Sequence, residues 1–422
     1  MPKHRIFLKI GGCNQLFSVK DADEVKNLLQ ENFSGYDMGH EKVALKDSLS
    51  RITAKDIIVS EDIPGFNRST VDGFAVHAKD TFGASEALPA ILRLLPEIKI
   101  GAEVKSNLSY GHAAYVPTGG QLPQDADAMV MIEHTDDLGD GFIYVNKSVS
   151  PGNNVIYKGD DAKAGSVIIK ANTLLKPKDI GAFAAAGVSS VLVKKRIKAG
   201  IISTGDEIAD IDETLNGAKV RDVNSYTLYA GLLELGTQPY MYGIVPDSYD
   251  EIRKVTDRAL RECDIVLISG GSSVGTYDMT CKVIDSFGKP GIFVHGIAMK
   301  PGKPTIIAKV RDKAIFGLPG HPVSAYFIFK VFVSHTFKVL NGLNHEFKAS
   351  IKAYTAFNFP SNDGREEYVP VRLEETERKI LAHPVFAKSG LITTLTEASG
   401  YIKISRGAEG VVAGQEVEVL PF

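Results

Sequence analysis

The sequence is poor in cysteine, has no long unbroken apolar run and carries no excess of positive charge, and each shortage removes a class of function. Its three cysteines, Cys13, Cys263 and Cys281, form no CxxC, so neither a disulfide framework nor a structural zinc site is expected. The absence of any HxxxH or His–Cys cluster argues against a permanent catalytic zinc. No stretch reaches the roughly 18 apolar residues of a membrane helix, and the opening "MPKHRIFLKIGG" has an apolar run too short for a signal-peptide core. A cytoplasmic protein without membrane contact is the expectation. With 48 Lys and Arg against 51 Asp and Glu, net charge −3, the basic surplus of a nucleic-acid binder is missing. Anionic partners must be held by local positive groups.

What is present is a long chain with two textures. At 422 residues, 44% hydrophobic and 23% charged, it is ordinary globular material, large enough for about two to four domains. Between about 198 and 335, apolar strand-like runs ("KAGIIS", "YMYGIV", "DIVLIS", "IFVHGIA", "AIFGL") alternate with helical spacing. "NSYTLYAGLLELG" reads as a helix with Asn224 or Ser225 as N-cap and Gly236 as C-cap, and "SYDEIRKVTDRALREC" puts Ile252, Val255, Ala259 and Cys263 on one face. That rhythm predicts a Rossmann-like parallel sheet with helices on both faces, spanning 188–340. Residues 57–151 and 346–422 are rich in short β-like runs with Gly and Pro breaks, predicting an inserted β domain and a barrel-like C-terminal β domain. The flanking pieces 20–56 and 152–187 read as one discontinuous mixed helical domain, in which "PKDIGAFAAAGV" is a short helix ending in glycine. The fold class is therefore multidomain α/β.

Ligands of an open parallel sheet bind outside the carboxyl ends of its strands, so the loops there carry the functional reading. They contain Thr204-Gly205-Asp206-Glu207, Pro246-Asp247, the stretch Gly270 to Asp278, Met299 to Pro304 with Lys300 and Lys303, and Pro319-Gly320-His321-Pro322. The third loop, "GGSSVGTYD", nearly spells a P-loop, but Thr276 stands where the lysine belongs, which argues against an NTPase of that type. Its Gly270, Gly271 and Gly275, with Ser272 and Ser273, serve either as a tight turn or as an anion cradle. Asp206 and Asp247 serve either as helix caps or as ligands. Four carboxylates, Asp206, Glu207, Asp247 and Asp278, on one rim would repel one another without a divalent cation, and Mg2+ suits oxygen donors. Lys300 and Lys303 would offset a phosphate or oxyanion. Cys281, His134 and His295 read as packing or surface residues, with no base evident beside the thiol.

From about Glu41 onward the ordered motifs resemble the molybdopterin molybdenumtransferases, the MoeA and gephyrin E-domain family. They are "DIPGFNRSTVDGFAVHAKD", "VPTGGQLPQDADAMVMIE", "GDDAKAG", "STGDEI", "SGGSSVGTYD", "KPGKP" and "GLPGHPVSA". The resemblance implies a molybdopterin-binding sheet domain, an adenylylated molybdopterin substrate, release of AMP with Mg2+, and insertion of molybdate into the dithiolene. It also implies a homodimer whose active site is shared between subunits, and docking with a molybdopterin adenylyltransferase. Carried onto this chain, the catalytic positions are Asp72, Thr118, Asp161, Glu207, Asp247 and Asp278. Thr204, Gly205, Gly270, Gly271, Ser272, Ser273, Gly275, Lys300, Lys303, Pro319, Gly320 and His321 would bind the cofactor precursor, and Asp206, Glu207, Asp247 and Asp278 the metal.

Three features depart from the pattern. Asn67-Arg68 stands where the family has Asp-Asn, which adds positive potential and leaves tungstate open beside molybdate. His321 replaces an asparagine, and the first 20 to 35 residues have no functional reading. Two rival functions remain at this point: the adenylyltransferase with its related sheet domain, and a non-catalytic gephyrin-like scaffold or carrier.

Overall fold

The computed structural model describes residues 19–270, 274–343, 349–361, 364–385 and 388–422. The chain divides into two compact units, one of residues 42–49 and 53–192, the other comprising the remainder.

The first unit is built on a six-stranded sheet in the order Ala128–Met131, Gly73–Val76, His112–Val116, Ala90–Leu95, Phe142–Val145, Thr135–Asp137. Alternation along these strands sorts side chains into two cores. Phe74, Val76, Leu92, Ala113, Val130 and Ile143 pack on one face, and Ala75, Ala114, Val116 and Met129 belong to the other. The helix Pro177–Ala185 also lies in this unit, with Gly187 following it in the left-handed region at φ +70°.

The second unit contains the sheet anticipated for 188–340, with one difference. Its order is Gln238–Val245, Lys198–Thr204, Ile265–Ser269, Lys313–Leu318, Ile306–Val310, Gly291–His295. Five strands run in one direction, but Ile306–Val310 is antiparallel to both neighbours, so the sheet is mixed rather than parallel. The run "TIIAKV" follows the previous strand through a turn too short for a helical crossover, and an antiparallel return is what such a turn permits. Ile202, Val266 and Ile268 face the helices Tyr249–Glu262 and Val274–Asp285, meeting Ile252, Ala259, Leu260, Val283 and Ile284. The alternate residues Ile201 and Leu267 are equally buried on the opposite face, where the helix Val223–Glu234 packs against the first two strands.

The caps of that helix differ from the expectation. Asp222, not Asn224 or Ser225, is the N-cap, its carboxylate accepting the Ser225 N–H at 3.0 Å; Leu235 is the C-cap, and Gly236 follows in the left-handed region at φ +75°. Because Asp222 takes the capping role, accepting one open N–H of the first turn, Asn224 is released for another task. The helical run Pro322–Asn341 reaches a mean hydropathy of 1.3 over a length that could cross a membrane, contrary to the expectation that no stretch would, yet it is 72% buried inside the protein.

Five C-terminal strands close a barrel. Glu366–Glu375 pairs with Ile380–Pro384, then follow Ile351–Thr355, Glu416–Pro421 and Gly400–Ile404, which pairs back onto Glu366–Glu375. Ala353, Val371, Ala382, Ile402 and Val419 fill its core. A short strand, Met299–Lys300, pairs with Glu366–Glu367, tying a rim loop of the sheet to the barrel.

Candidate active site

Five strands pointing the same way deliver five loops to one edge of the sheet. The first two are joined directly: Gly205 N–H donates to Val245 O at 3.3 Å, and Asp247 N–H donates to the Asp206 carboxylate at 3.2 Å. Neither aspartate caps a helix, since Ser248 occupies the N-cap position of Tyr249–Glu262. Glu207 is exposed, and its carboxylate folds back over Gly205. At φ +144°, a Cβ on Gly205 would lie 2.8 Å from Glu207 Oε2.

The third loop leaves the strand Ile265–Ser269 through Gly270. At φ +151° a Cβ there would stand 2.0 Å from Thr204 Oγ1 and 2.4 Å from Thr204 O, so the contact of two loop bases requires glycine. Thr204 is 1% exposed, and among the described residues its hydroxyl has no hydrogen-bond partner. Gly271, Ser272 and Ser273 lie outside the described residues. Gly275 is the second residue of the helix Val274–Asp285 and Asp278 lies one turn inside it.

The fourth loop carries Lys300 and Lys303. Lys300 Nζ pairs with Glu367 Oε1 at 2.7 Å, and the buried Glu367 also accepts the Ser361 hydroxyl at 2.6 Å. The fifth loop contains buried Pro319, then Gly320 and exposed His321. His321 Nδ1 lies 2.7 Å from Ser389 Oγ, and Val323 N–H donates to Ser389 O at 3.1 Å.

Sequence reasoning missed three residues that organise this edge. Asn224 donates from Nδ2 to Ser269 Oγ at 2.7 Å and to Gly320 O at 2.9 Å, clamping the third loop to the fifth. An asparagine beside a helix start signals a cap, and only the tertiary fold shows otherwise. Glu367, on the strand Glu366–Glu375, and Ser389, on a turn of the C-terminal region, carry no local signal. The reading of Cys281 also changes: its Sγ lies 3.4 Å from His295 Nε2, so an imidazole does stand beside the thiol. Burial holds that imidazole below its usual pKa, while Asp278 and Asp285 pull the other way.

Among the described residues no group of three or more His, Cys, Asp or Glu side chains converges to hold a metal. The carboxylates nevertheless supply the hard oxygen donors that Mg2+ prefers. Magnesium is commonly held by one or two carboxylates together with substrate phosphates rather than by an all-protein cage, so this donor set fits a metal that arrives with its substrate.

In the first unit, Asp72 immediately precedes the strand Gly73–Val76, and its carboxylate accepts Thr118 N–H at 2.8 Å. This joins the "STVDG" and "PTGG" motifs. Asp161 is exposed on a turn whose N–H donates to Ile63 O at 2.9 Å.

A multidomain α/β protein whose mixed sheet presents its polar loops along one edge is the class these features define. Residues 17–187 match the family model of the MoeA N-terminal region, domains I and II. Residues 200–339 match that of a "probable molybdopterin binding domain", and residues 352–422 that of the MoeA C-terminal region, domain IV. Similar proteins include a molybdopterin molybdenumtransferase of Bacillus subtilis (strain 168), 34% identical over 90% of this chain and 89% of its own length. One from Staphylococcus aureus (strain COL) is 31% identical, covering 90% of each chain. The crystal structure of a molybdopterin biosynthesis MoeA protein from Pyrococcus horikoshii OT3 superposes with a TM-score of 0.83 at 31% identity, over 96% of this chain and 100% of that one. The chain belongs to the MoeA family, transferases of molybdenum cofactor biosynthesis.

Proposed function

We propose that the protein binds adenylylated molybdopterin, cleaves its phosphoanhydride with Mg2+ to release AMP, and inserts molybdate into the dithiolene. The reading is supported by the sheet edge itself, whose loops carry Asp206, Glu207, Asp247 and Asp278 as well as Lys300 and Lys303, the first two loops being tied by the Asp247 N–H to Asp206 carboxylate bond at 3.2 Å. Cleavage adds the oxygen of a water to one phosphorus and leaves AMP on the other. Glu207 and Asp278 orient that water and, with Asp206 and Asp247, offer oxygen ligands to the metal, which when bound neutralises charge on the leaving phosphate. Lys300 and Lys303 hold the pterin phosphate or the oxyanion, and the Gly270 backbone, Thr204, Gly320 and His321 line the cradle. Lys300 comes to the edge already oriented by Glu367, so little side-chain freedom is lost on binding.

Asp72, Thr118 and Asp161 complete the site from the partner in a homodimer, and a separate adenylyltransferase docks to deliver the substrate. Exposed Arg68 adds positive potential near Asp72 and favours an oxyanion there, which keeps tungstate as the second substrate candidate. One experiment tests both residue roles and sharing. Asp72→Asn and Asp278→Asn each abolish AMP release alone, and co-expressed as a mixed population they recover about a quarter of wild-type release, since half the dimers hold one intact site. No recovery would place both aspartates in one subunit's site or outside the chemistry.

A further inference from the structure

The first unit has a groove that the residue roles above leave unused. It encloses about 370 Å3, within the roughly 300–1,000 Å3 of small-molecule sites. Its floor is apolar and aromatic. Phe74 and Tyr115 face each other across paired strands with ring centroids 5.6 Å apart at 71°, an edge-to-face pair, and Leu94 and Ile132 also line it. At the mouth stand two exposed carboxylates, Glu97 and Asp137. Such groups accept hydrogen bonds and cannot donate them when ionised. The groove also adjoins the Asp72–Thr118 pair: Ile132 N–H donates to Asp72 O at 3.0 Å, and Phe74 lies two residues beyond Asp72.

We propose that this groove seats a planar amino-substituted heterocycle, with its π face on Tyr115, whose ring Phe74 braces edge to face, and its N–H edge on Glu97 and Asp137. An aromatic floor selects a flat ring, and acceptor-only groups at the mouth select an edge that donates. A saturated aliphatic ligand offers neither a π face to the aromatic rings nor an N–H edge to the carboxylates. This inference rests on the proposed substrate, which carries two such rings, the pterin bicycle and adenine. Either meets the chemistry of the groove, and the phosphates between them would then run toward Asp72 and Thr118.

The test uses the full chain and two probes, 6-hydroxymethylpterin followed by its own fluorescence and AMP followed by calorimetry. In the double variant Glu97→Gln/Asp137→Asn, both at exposed positions and both isosteric, affinity for the ring that occupies the groove falls at least tenfold. Tyr115→Leu weakens the same ring, and the identity of that ring names the source. The proposal is overturned if neither probe binds the wild-type protein, or if both bind wild type and variants equally. AMP release from adenylylated molybdopterin, measured on the same preparations, separates the two claims. Release with unchanged ring affinities sinks the groove and leaves the function standing, whereas weakened ring binding without wild-type release sinks the function alone.

Discussion

At the scale of single residues, the account turns on groups whose surroundings permit only one identity. Gly270 is the clearest, because the atom a Cβ would meet at 2.4 Å is the Thr204 backbone carbonyl, which cannot rotate away. Gly270→Ala is expected to cost roughly 1–3 kcal/mol from backbone strain alone, read as a lowered urea midpoint, and to abolish AMP release. A variant of wild-type stability and activity would show that the loop base is not held as described. His295 supplies a pH dependence. Its imidazole is partly buried and its pKa lies below the ordinary value, chiefly through desolvation. As pH falls below about 6.5 the unfolded chain therefore takes up the proton before the folded one does. Stability from the neutral imidazole is complete above that pH and is lost as pH drops through the lower folded value. The fall in urea midpoint between about pH 7.5 and about pH 5.5 is expected to be smaller in His295→Gln; an identical fall would contradict this assignment. The sequence revealed residue types here but not their company. The cysteine was visible, while the imidazole beside it comes from a different element.

Elements explain why some of the site was legible and some was not. Buried strands announce themselves as β-branched runs, and loops after such strands are where chemistry gathers in this architecture. That is why Thr204–Glu207, Pro246–Asp247, the Gly270 loop and the two lysines could be named from sequence. Strand direction is not written in composition, so the antiparallel Ile306–Val310 went unread. Side-chain convergence is not written there either: the acidic loops share an edge, yet no three carboxylates close into a metal cage among the described residues. The pairing of Met299–Lys300 with Glu366–Glu367 is a tie of the same hidden kind, and it makes an uneven prediction. Lys300 is partly exposed whereas Glu367 is buried. Removing the lysine strands a buried carboxylate, and neutralising the glutamate leaves only a half-solvated ammonium. Lys300→Met is therefore expected to be less stable than Glu367→Gln by about 1–2 kcal/mol, a discounted share of the cost of breaking a buried pair. Both variants should slow AMP release. Chemical denaturation decides the matter, and equal stability would mean that the pair is not holding the loop.

For the whole molecule, family membership and architecture rest on matches that together span nearly the entire chain, and the proposed chemistry draws on two sets of residues in separate compact units. A fold can host more than one activity, so the decisive observation concerns the reaction. The most direct measurement is AMP release by the purified protein from adenylylated molybdopterin and Mg2+, in the presence of molybdate, of tungstate, and of neither. The account predicts release that requires the metal and depends on one oxyanion, molybdate, with metal-loaded molybdopterin as the second product. Binding of the nucleotide without release under any of the three conditions would contradict it, and would leave a carrier or scaffold that shares the fold and lacks the reaction.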